Sequence, residues 1–512
     1  MAGQDYTTIS VPWANRKNTG GLNSSFSPTS LEENESSDLQ NIDFDKSGAF
    51  KKRGGSVQLN TTAFNSGATW NGLIWFEKSD GNSYLIGVCG SKFGEATSLT
   101  QAASPFTDRT GAITLTAGNN NHVSWAIHLD TVLGTNNVDV PFQATGGGNA
   151  IAMTVPATLT KAKYLNVFSN YTTLANVTVG GTTHKSRAYW SAIDSISTWG
   201  ASDFRDLSKN DGQEITGSVT LGDTWVIFKN RKIWLGFFTG DSDVPFIFRL
   251  SRSHVGCIAG GSIQEVDNGL IFESYDGYYF FDGNNSFKLS DRISATLATF
   301  ARNRFQNTAS AYYLTKNRYI SSHTLDGNST HDRNLTWDSF NNAWSIYKGM
   351  AANCYARVYS SGEERIYFGD YSGYVYRMDT TSTDNPAGVA TAIDAYYYTK
   401  WFDYNDLTSK KAVPQLSIYH QYDATTLTLA YSYDFETADQ YAQSFSLSAG
   451  SSLYGTAVYD TDTYAGAGGS VVPRHLTGRG KVVRFGFKNS TAGQAFTIDG
   501  FGAFPHAETN IK

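Results

Sequence analysis

The residues best suited to metal binding are spread widely along the chain. Nine histidines occur among its 512 residues, and none forms a zinc-protease pair or lies beside cysteines at metal-ligand spacing. His122 and His128 are six residues apart and would face one side of a continuous strand. Two ligands do not complete a site, and Cys89, Cys257 and Cys354 are too far apart for a metal knuckle or a disulfide framework. We therefore expect neither a metal nor another cofactor.

Carboxylate pairs could cleave glycosidic bonds if they lay a short distance apart. Glu363 and Glu364 are adjacent, and neighbours in a strand point to opposite faces, so they are poor acid–base partners. The run Ser274-Tyr275-Asp276-Gly277-Tyr278 is close to the turn motif of sialidases, but its glycine comes one place early, which favours an ordinary hairpin turn. Asp460-Thr461-Asp462 begins like a calcium loop and lacks the later glycine and glutamate, which favours a surface turn.

No phosphate loop and no nucleophile elbow occurs in the sequence. The glycine-rich stretch 146–149 lacks the Lys-Ser/Thr ending of a phosphate loop. These observations, with the poor carboxylate pairs, predict that the protein is not an enzyme.

The charge of the chain excludes other classes of protein. The formal net charge is −6, whereas a protein that tracks nucleic acid is usually basic. The strongest basic cluster is Lys51-Lys52-Arg53, which could contact phosphate or an acidic partner surface; a solvated turn is the alternative. No apolar stretch is long enough to span a bilayer, and the first residues lack the pattern of a signal peptide. Three scattered thiols fit assembly in a reducing cytoplasm.

The elements that must position these residues are short strands. Aromatic residues make up 14% of the chain, and 49 residues are glycine, a composition that suits strands joined by tight turns. Runs rich in aromatic and β-branched residues meet short polar turns and then a second such run, which predicts hairpins. The four clearest hairpins pair residues 72–76 with 84–88, 225–228 with 233–235, 269–272 with 278–281, and 365–368 with 374–376.

The spacing of the strands predicts the architecture. Anchor strands recur with a mean step of about 49 residues, close to the 40–50 residues of a propeller blade; they lie at Ile74, Trp125, Leu165, Val226, Ile271, Tyr319 and Ile366. This spacing indicates a divergent β-propeller of about seven blades; six blades and eight blades are the alternatives. Two or three stacked sandwiches are the alternative fold.

The two ends of the chain have different patterns. Residues 1–55 are predicted to form an extended, polar N-terminal arm, with one short helix within Leu31–Gln40 and a strand near Ile42. Residues 56–388 are assigned to the propeller. Residues 389–512 alternate apolar and polar side chains, which predicts a C-terminal antiparallel β-sandwich. The fold class is therefore all-β.

Several runs resemble a known family, the tail nozzle or hub proteins of short-tailed bacteriophages, also called packaged-DNA stabilisation proteins. The resemblance extends from about residue 20 to residue 500. The runs that carry it are Gly21-Leu22-Asn23 through Ser27-Pro28, Asn41-Ile42-Asp43, Gly48-Ala49-Phe50-Lys51-Lys52-Arg53-Gly54, Ser186-Arg187-Ala188-Tyr189-Trp190-Ser191, Thr198-Trp199, Asp203-Phe204, Trp225-Val226-Ile227-Phe228-Lys229 with Ile233-Trp234, Tyr367-Phe368-Gly369-Asp370, Gly373-Tyr374-Val375-Tyr376 and Thr399-Lys400-Trp401.

The resemblance implies a structural protein of the virion tail, assembled in the host cytoplasm. It implies a hexamer that forms a ring below the portal and its adaptor, around a channel through which double-stranded DNA leaves without being read. Such a ring retains the packaged genome and binds tail fibres or a needle. The residues predicted to contact neighbouring subunits are Leu22, Asn23, Lys51, Lys52 and Arg53. The alternative function is a glycan-active or sugar-binding β-propeller of a phage tail.

Overall fold

The computed structural model describes residues 20–385, 388–423, 425–447, 470–503 and 505–507. Within these ranges the chain is all-β, with 43 strands and one α-helix, α1 (Ser294–Leu297). The short 3-10 helices in the same ranges are Phe64–Gly67, Gly260–Ser262, Asp291–Ile293, Arg302–Asn307 and Leu314–Lys316.

The chain folds into two compact units. Unit 1 contains the residues up to Ser56, Leu335–Gly349 and the residues from Asp379 onward, and unit 2 contains Val57–Asn334 and Met350–Met378. The chain therefore passes from one unit to the other four times.

Unit 2 is built from successive antiparallel sheets. Five of them have four strands each, hydrogen-bonded in chain order. Their strands are β6 (Trp70–Glu77), β7 (Ser83–Cys89), β8 (Lys92–Ala96) and β9 (Thr107–Asp108); β10 (Ser124–His128), β11 (Thr131–Thr135), β12 (Phe142–Ala144) and β13 (Ile151–Ala152); β14 (Leu159–Phe168), β15 (Tyr171–Val179), β16 (Thr182–Trp190) and β17 (Phe204–Asp206); β18 (Ile215–Leu221), β19 (Thr224–Lys229), β20 (Ile233–Phe238) and β21 (Phe246–Leu250); and β22 (Gln264–Val266), β23 (Gly269–Ser274), β24 (Gly277–Phe281) and β25 (Ser286–Lys288).

Two further groups of strands complete the series. The sixth contributes the hairpin of β26 (Ala309–Tyr313) and β27 (Arg318–His323) to unit 2, followed by the first residues of β28 (Arg333–Asp338). The seventh has the order β30–β31–β32–β5, so a strand that precedes the first sheet in the chain closes the last one. Its strands are β5 (Gly55–Gln58), β30 (Cys354–Ser360), β31 (Glu363–Gly369) and β32 (Val375–Thr381).

The core of unit 2 lies between neighbouring sheets, as in a propeller. Separate hydrophobic clusters join the first sheet to the second, the second to the third, the third to the fourth and the fourth to the fifth. Another joins the seventh sheet to the first, where Trp70 and Leu85 are buried with Val358 and Val375. Each of the seven anchor residues lies on a strand of a different sheet. The predicted propeller of about seven blades is confirmed, and the alternative of stacked sandwiches for this region is wrong.

Unit 1 is a β-sandwich that uses strands from distant parts of the chain. In one sheet β1 lies parallel to β2 and β29, and β35, β41, β38 and β39 continue the sheet in antiparallel order. The second sheet has the order β3–β4–β42–β37–β40, and two small pairs are β33–β34 and β36–β43. The strands of this unit are β1 (Gly21–Leu22), β2 (Glu35–Gln40), β3 (Ile42–Phe44), β4 (Phe50–Lys52), β29 (Ala343–Tyr347), β33 (Thr383–Asp384), β34 (Thr391–Ala392), β35 (Ala395–Thr399), β36 (Lys411–Ala412), β37 (Gln415–His420), β38 (Thr426–Tyr433), β39 (Tyr441–Ser446), β40 (Ser470–His475), β41 (Val483–Asn489), β42 (Thr497–Ala503) and β43 (His506–Ala507).

Aromatic rings fill the space between these two sheets. The Phe50 ring of β4 stacks on the Tyr397 ring of β35, with 4.3 Å between centroids. The rings of Phe487 and Phe501, from β41 and β42, are 5.5 Å apart. Alternate residues of facing strands thus meet as the period of two requires.

The N-terminal region differs from the expectation. The short helix within Leu31–Gln40 is wrong, because residues 35–40 form strand β2. Residues 20–52, expected as an extended arm, supply β1–β4 to unit 1, and residues 335–349 join the same unit. These pairings are formed with β29, β35 and β42, more than 300 residues along the chain, and a local pattern does not indicate them.

Candidate functional site

Two of the predicted interface residues are internal parts of unit 1. Leu22 and Asn23 are both 2% exposed. Asn23 Nδ2 donates a hydrogen bond to Glu35 Oε2 at 2.9 Å, and Asn23 Oδ1 accepts the backbone N–H groups of Ser25 and Phe26, both at 3.3 Å. Asn23 therefore fixes the turn that follows β1.

Two members of the basic triplet are also buried. Lys52 Nζ donates to Asn489 Oδ1 at 2.8 Å and to the Thr491 carbonyl at 3.1 Å. Burial, with a smaller effect of the neighbouring Arg53 charge, lowers the pKa of Lys52 to about 8. Lys51 alternates with Lys52 on the strand and is partly exposed. The alternative of a solvated turn is therefore wrong for Lys52 and Arg53.

Arg53 is the centre of a buried polar cluster in unit 1. Its guanidinium makes two hydrogen bonds to the Asp384 carboxylate, at 2.9 and 2.5 Å, and their side chains are 1% and 6% exposed. It also donates to Asn41 Oδ1 at 2.8 Å and to the carbonyls of Gly54 and Lys348, both at 2.9 Å. The planar guanidinium thus joins segments that are distant along the chain.

The middle run of the resemblance holds the third sheet of unit 2 together. Arg187 makes two hydrogen bonds to Asp206, at 2.7 and 2.9 Å. Its guanidinium carbon lies 3.9 Å from the centre of the Phe204 ring. Trp199 Nε1 donates to the Thr154 carbonyl at 2.9 Å. Arg187 thus links β16 to β17, and Trp199 links the loop after β16 to the loop after β13.

The run that begins at Tyr367 also has a structural role. Asp370 Oδ1 accepts the backbone N–H groups of Ser372 and Tyr374, both at 2.8 Å, which fixes the turn between β31 and β32. A side chain at Gly369 would lie 2.4 Å from Trp70 Cβ. Glycine is therefore required where the last sheet meets the first.

The structure separates the two histidines that the spacing suggested would share a face. Strand β10 begins at Ser124, so His122 lies before the strand and the condition for a shared face, one continuous strand, is not met. His128 is buried, and its Nδ1 is 2.8 Å from the Thr172 hydroxyl.

The acidic candidates are placed in structural contacts. Glu363 is 62% exposed and Glu364 is 1% exposed, so they point to opposite faces as expected. Glu364 accepts the backbone N–H groups of Leu314 and Thr315, at 3.1 and 2.8 Å. Residues 274–277 form the predicted hairpin turn between β23 and β24. The predicted surface turn at Asp460 lies outside the described residues.

The sequence did not predict a cavity of about 360 Å³ inside unit 2, here termed the central cavity. It lies where the first strands of five sheets converge, namely β6, β10, β14, β26 and β30, beside the 3-10 helix Gly260–Ser262. Its wall is rich in amide side chains: Asn71, Asn120, Asn136, Asn137, Gln306, Asn307 and Asn353. The run of three asparagines at residues 119–121 was the local sign of this polar wall in the sequence. The other amide residues of the wall are too far apart along the chain to form a recognisable motif.

Several polar atoms of this wall have no protein partner. The unpartnered atoms, each nearly inaccessible to solvent, are Asn71 Nδ2, His122 Nε2, Trp125 Nε1 and Asn353 Oδ1. Asn71 and Asn353 are 1% and 0% exposed. Because a buried polar group without a partner costs free energy, these atoms call for a ligand or ordered water.

The cavity carries little charge. Lys163 is its only charged lining residue in the described part of the chain, and the Lys163 ammonium is 3.7 Å from the Glu214 carboxylate. Burial, and to a smaller extent the neighbouring His331, lowers the pKa of His122 to about 3. The imidazole is therefore neutral near pH 7 and can donate or accept one hydrogen bond at Nε2.

A second buried polar cluster in unit 2 looks like a hydrolase triad. His323 Nε2 is 3.2 Å from Ser321 Oγ and 2.6 Å from the Tyr278 hydroxyl, and His323 Nδ1 is 3.8 Å from Glu273 Oε1. Burial raises the pKa of Glu273 to about 8 and lowers that of His323 to about 3. All four residues are at most 2% exposed. The arrangement has the groups for nucleophilic chemistry but no access for a substrate.

The described residues contain no group of three or more histidine, cysteine, aspartate or glutamate side chains placed to hold a metal ion. In the same ranges, no helix has the length and apolarity needed to cross a membrane.

The comparisons with known proteins concern the fold alone. No family model matches the chain, and no curated protein matches it. A chain in the crystal structure of the Mitotic Checkpoint Complex is similar, with 8% identity and a TM-score of 0.39, over 64% of this chain and 95% of that chain. BamB from Moraxella catarrhalis is similar with 11% identity and a TM-score of 0.37, over 64% of this chain and 98% of that chain.

Proposed function

We propose that the chain is a structural subunit of the tail of a short-tailed bacteriophage, in the nozzle ring below the portal and adaptor. The observation that carries this proposal is the resemblance of the runs between residues 20 and 500 to that family. The proposal places the protein in the virion tail after assembly in the host cytoplasm. A hexamer is the expected assembly.

The positions of the resembling residues support a mechanical role. Asn23, Arg187 and Asp370 each fix a strand or a turn by hydrogen bonds inside their own unit. Such residues hold the backbone in place and do not need a substrate. A subunit whose regular secondary structure, within the described residues, consists almost entirely of paired strands can carry load.

The charge supports a channel through which DNA slides. Contacts between basic side chains and phosphates dominate the affinity for DNA, so a wall that lets DNA pass should have few of them. The net charge is −6, and the buried Arg53 is paired with Asp384. In this proposal the ring retains the packaged genome, releases it without reading its sequence, and binds fibres or a needle.

Four of the five residues proposed for the subunit contact are buried. Leu22, Asn23, Lys52 and Arg53 are at most 4% exposed and shape unit 1. Lys51, whose side chain is partly exposed, is the member of the set that can reach a neighbouring subunit directly. We therefore assign the subunit contact to Lys51 and a supporting role to the others.

The contact is tested by reversing the charge of Lys51. The purified full chain is mixed with candidate portal–adaptor complexes, and co-sedimentation measures binding. Lys51→Glu should reduce ring assembly or portal attachment, because it opposes an acidic partner surface. The control Lys410→Glu makes the same change at an exposed position of unit 1 and should leave binding unchanged. Equal binding by the wild type and both variants would exclude Lys51 from the contact, and no binding by the wild type would count against the nozzle assignment.

A non-enzymatic role remains part of the proposal. Glycan cleavage uses two carboxyl groups on either side of the bond, and no aspartate or glutamate lines the central cavity of unit 2 within the described residues. A glycan-cleaving activity is therefore not supported by this cavity.

A further inference from the structure

We propose that the central cavity of unit 2 binds a neutral, hydroxyl-rich ligand, namely a mono- or disaccharide of uncharged sugars. This inference goes beyond the nozzle assignment and does not rest on it. It depends on the position, the polar lining and the charge of the cavity.

The position of the cavity is typical of a ligand site. It lies inside unit 2, where the first strands of five sheets converge and their backbones are fixed by ladder hydrogen bonds. Its volume of about 360 Å³ is within the range of about 300–1,000 Å³ found for small-molecule sites. Rigid strands on several sides pre-organise its wall.

The lining complements hydroxyl groups. Each amide side chain offers a carbonyl acceptor and an NH₂ donor, and a sugar hydroxyl needs one of each. Asn71 lies on β6 of the first sheet, Asn353 directly precedes β30 of the seventh, and a hydrogen bond of 3.3 Å joins them. That bond uses Asn353 Nδ2 and Asn71 Oδ1, and it leaves the other atom of each amide without a partner. One unpartnered donor and one unpartnered acceptor therefore lie close together.

Trp125 and His122 add two more buried, unpartnered nitrogen atoms to the same wall. Gly72 leaves room for the indole, because a Cβ at Gly72 would lie 2.7 Å from Trp125 Nε1. The indole packs edge-on against Phe93 and Phe142, with centroids 6.4 and 5.8 Å away, which holds its orientation. Trp125 Nε1 offers a donor, and neutral His122 offers a donor or an acceptor at Nε2.

The charge of the cavity favours an uncharged ligand over a phosphate or an acidic sugar. No arginine lines the cavity in the described part of the chain, and Glu214 partly neutralises the lysine that does, Lys163. A carboxylate ligand would lack the bidentate partner that such sites usually provide. A cation would lack a carboxylate.

Binding is tested on the purified full chain with a panel of sugars. The panel contains glucose, galactose, mannose, N-acetylglucosamine, their common neutral disaccharides, and glucuronate as the charged comparison. Calorimetric titration measures affinity, and we expect at least one neutral sugar to bind more tightly than glucuronate. No binding of any neutral sugar at up to about 10 mM, a very weak affinity, would overturn the proposal.

Two substitutions locate the binding site. Trp125→Phe and His122→Phe keep an aromatic ring and remove the nitrogen that lacks a protein partner. The first change also removes the rest of the five-membered indole ring, and the second also removes the other imidazole nitrogen. Each should weaken binding about tenfold, the loss expected for one buried hydrogen bond. Trp234→Phe is the matched control, because Trp234 Nε1 is also buried without a partner but lies outside the cavity wall.

The variants separate the site from general effects on folding. Thermal unfolding should show similar stability for the three variants. Binding that is unchanged in both cavity variants, or weakened equally by Trp234→Phe, would place the sugar elsewhere and overturn the proposal.

Discussion

Buried polar residues carry much of the specificity of unit 1. Arg53 and Asp384 are 331 positions apart in the chain, and their ion pair fixes the strands on either side. Burying two charges is costly, and the pair is maintained only while both partners and their hydrogen bonds are present. The pair therefore makes the register of unit 1 sensitive to a single change.

Removing one partner of this pair should destabilise the fold strongly. Asp384→Asn leaves the Arg53 charge buried without a counter-charge, a defect that costs about 3–5 kcal/mol. Urea unfolding measures the loss. The control Asp108→Asn disrupts an ion pair with Lys92 in which both side chains are 43% exposed, so its loss should be much smaller. Equal losses would contradict the account of the buried pair.

Glu273 predicts a pH dependence of the stability of unit 2. Burial raises its folded pKa from 4.5 to about 8. The titratable groups beside it are His323, whose Nδ1 is 3.8 Å from Glu273 Oε1, and Tyr278, Tyr319 and Cys257. Between these pH values the folded state binds more protons than the unfolded state. The contribution of Glu273 to the free energy of unfolding is therefore fully present below about pH 4.5 and is lost as the pH rises towards 8. Glu273→Gln should remove this contribution, so the melting temperature of the variant relative to the wild type should increase with pH across the window. The comparison with the wild type is needed because His122 and His323, whose pKa values burial lowers, also titrate differently in the folded and unfolded chains. An unchanged slope in the variant would show that Glu273 is not responsible.

At the scale of elements, strand β1 shows how closely unit 1 is packed. It lies between β2 and β29, parallel to both. Gly21 has a φ of 65°, and a Cβ there would lie 2.6 Å from the backbone N and O atoms of Trp344. The insertion of β1 therefore depends on glycine for both its conformation and its close approach.

Gly21→Ala should consequently prevent β1 from entering the sheet. We expect a lower melting temperature of unit 1 and faster proteolysis of the N-terminal segment. Gly493→Ala is the control, since Gly493 has a φ of 75° in open space and the substitution carries only the conformational cost of about 1–2 kcal/mol. A similar loss in both variants would mean that the steric contact of Gly21 is unimportant.

Hairpins were predictable and distant pairings were not. The hairpin of residues 225–228 with 233–235 needs only adjacent β-rich runs and a short turn, and it forms as predicted in β19 and β20. The cavity brings together Asn71, His122 and Asn353, which no local pattern connects. Arg53 looked like part of an exposed basic cluster, because its partner Asp384 comes near only after the strands have paired.

At the scale of the whole molecule, the regular spacing of strands predicted the propeller. The N-terminal and C-terminal regions were expected to be separate domains, yet residues 20–56 and those from 379 onward belong to one unit. The chain enters and leaves the propeller unit twice. A domain division by position along the sequence fails here, because the compact units are formed by pairing between distant segments.

This organisation changes what a truncation should do. Removing residues 1–50 deletes β1–β3 and Phe50, whose ring stacks at 4.3 Å on Tyr397 in the core of unit 1. We expect unit 1 to become sensitive to protease while unit 2, which retains its seven groups of strands, stays resistant. Mass spectrometry of the fragments identifies the protected region. A truncated chain whose unit 1 remains resistant would contradict the structural role of these strands.

The most direct test of the proposed function is electron microscopy of the purified full chain, alone and mixed with candidate portal–adaptor complexes. The nozzle proposal predicts a sixfold ring, in one of the two samples, with a central channel wide enough for double-stranded DNA. A monomer in both samples, with the portal complex unoccupied, would contradict it.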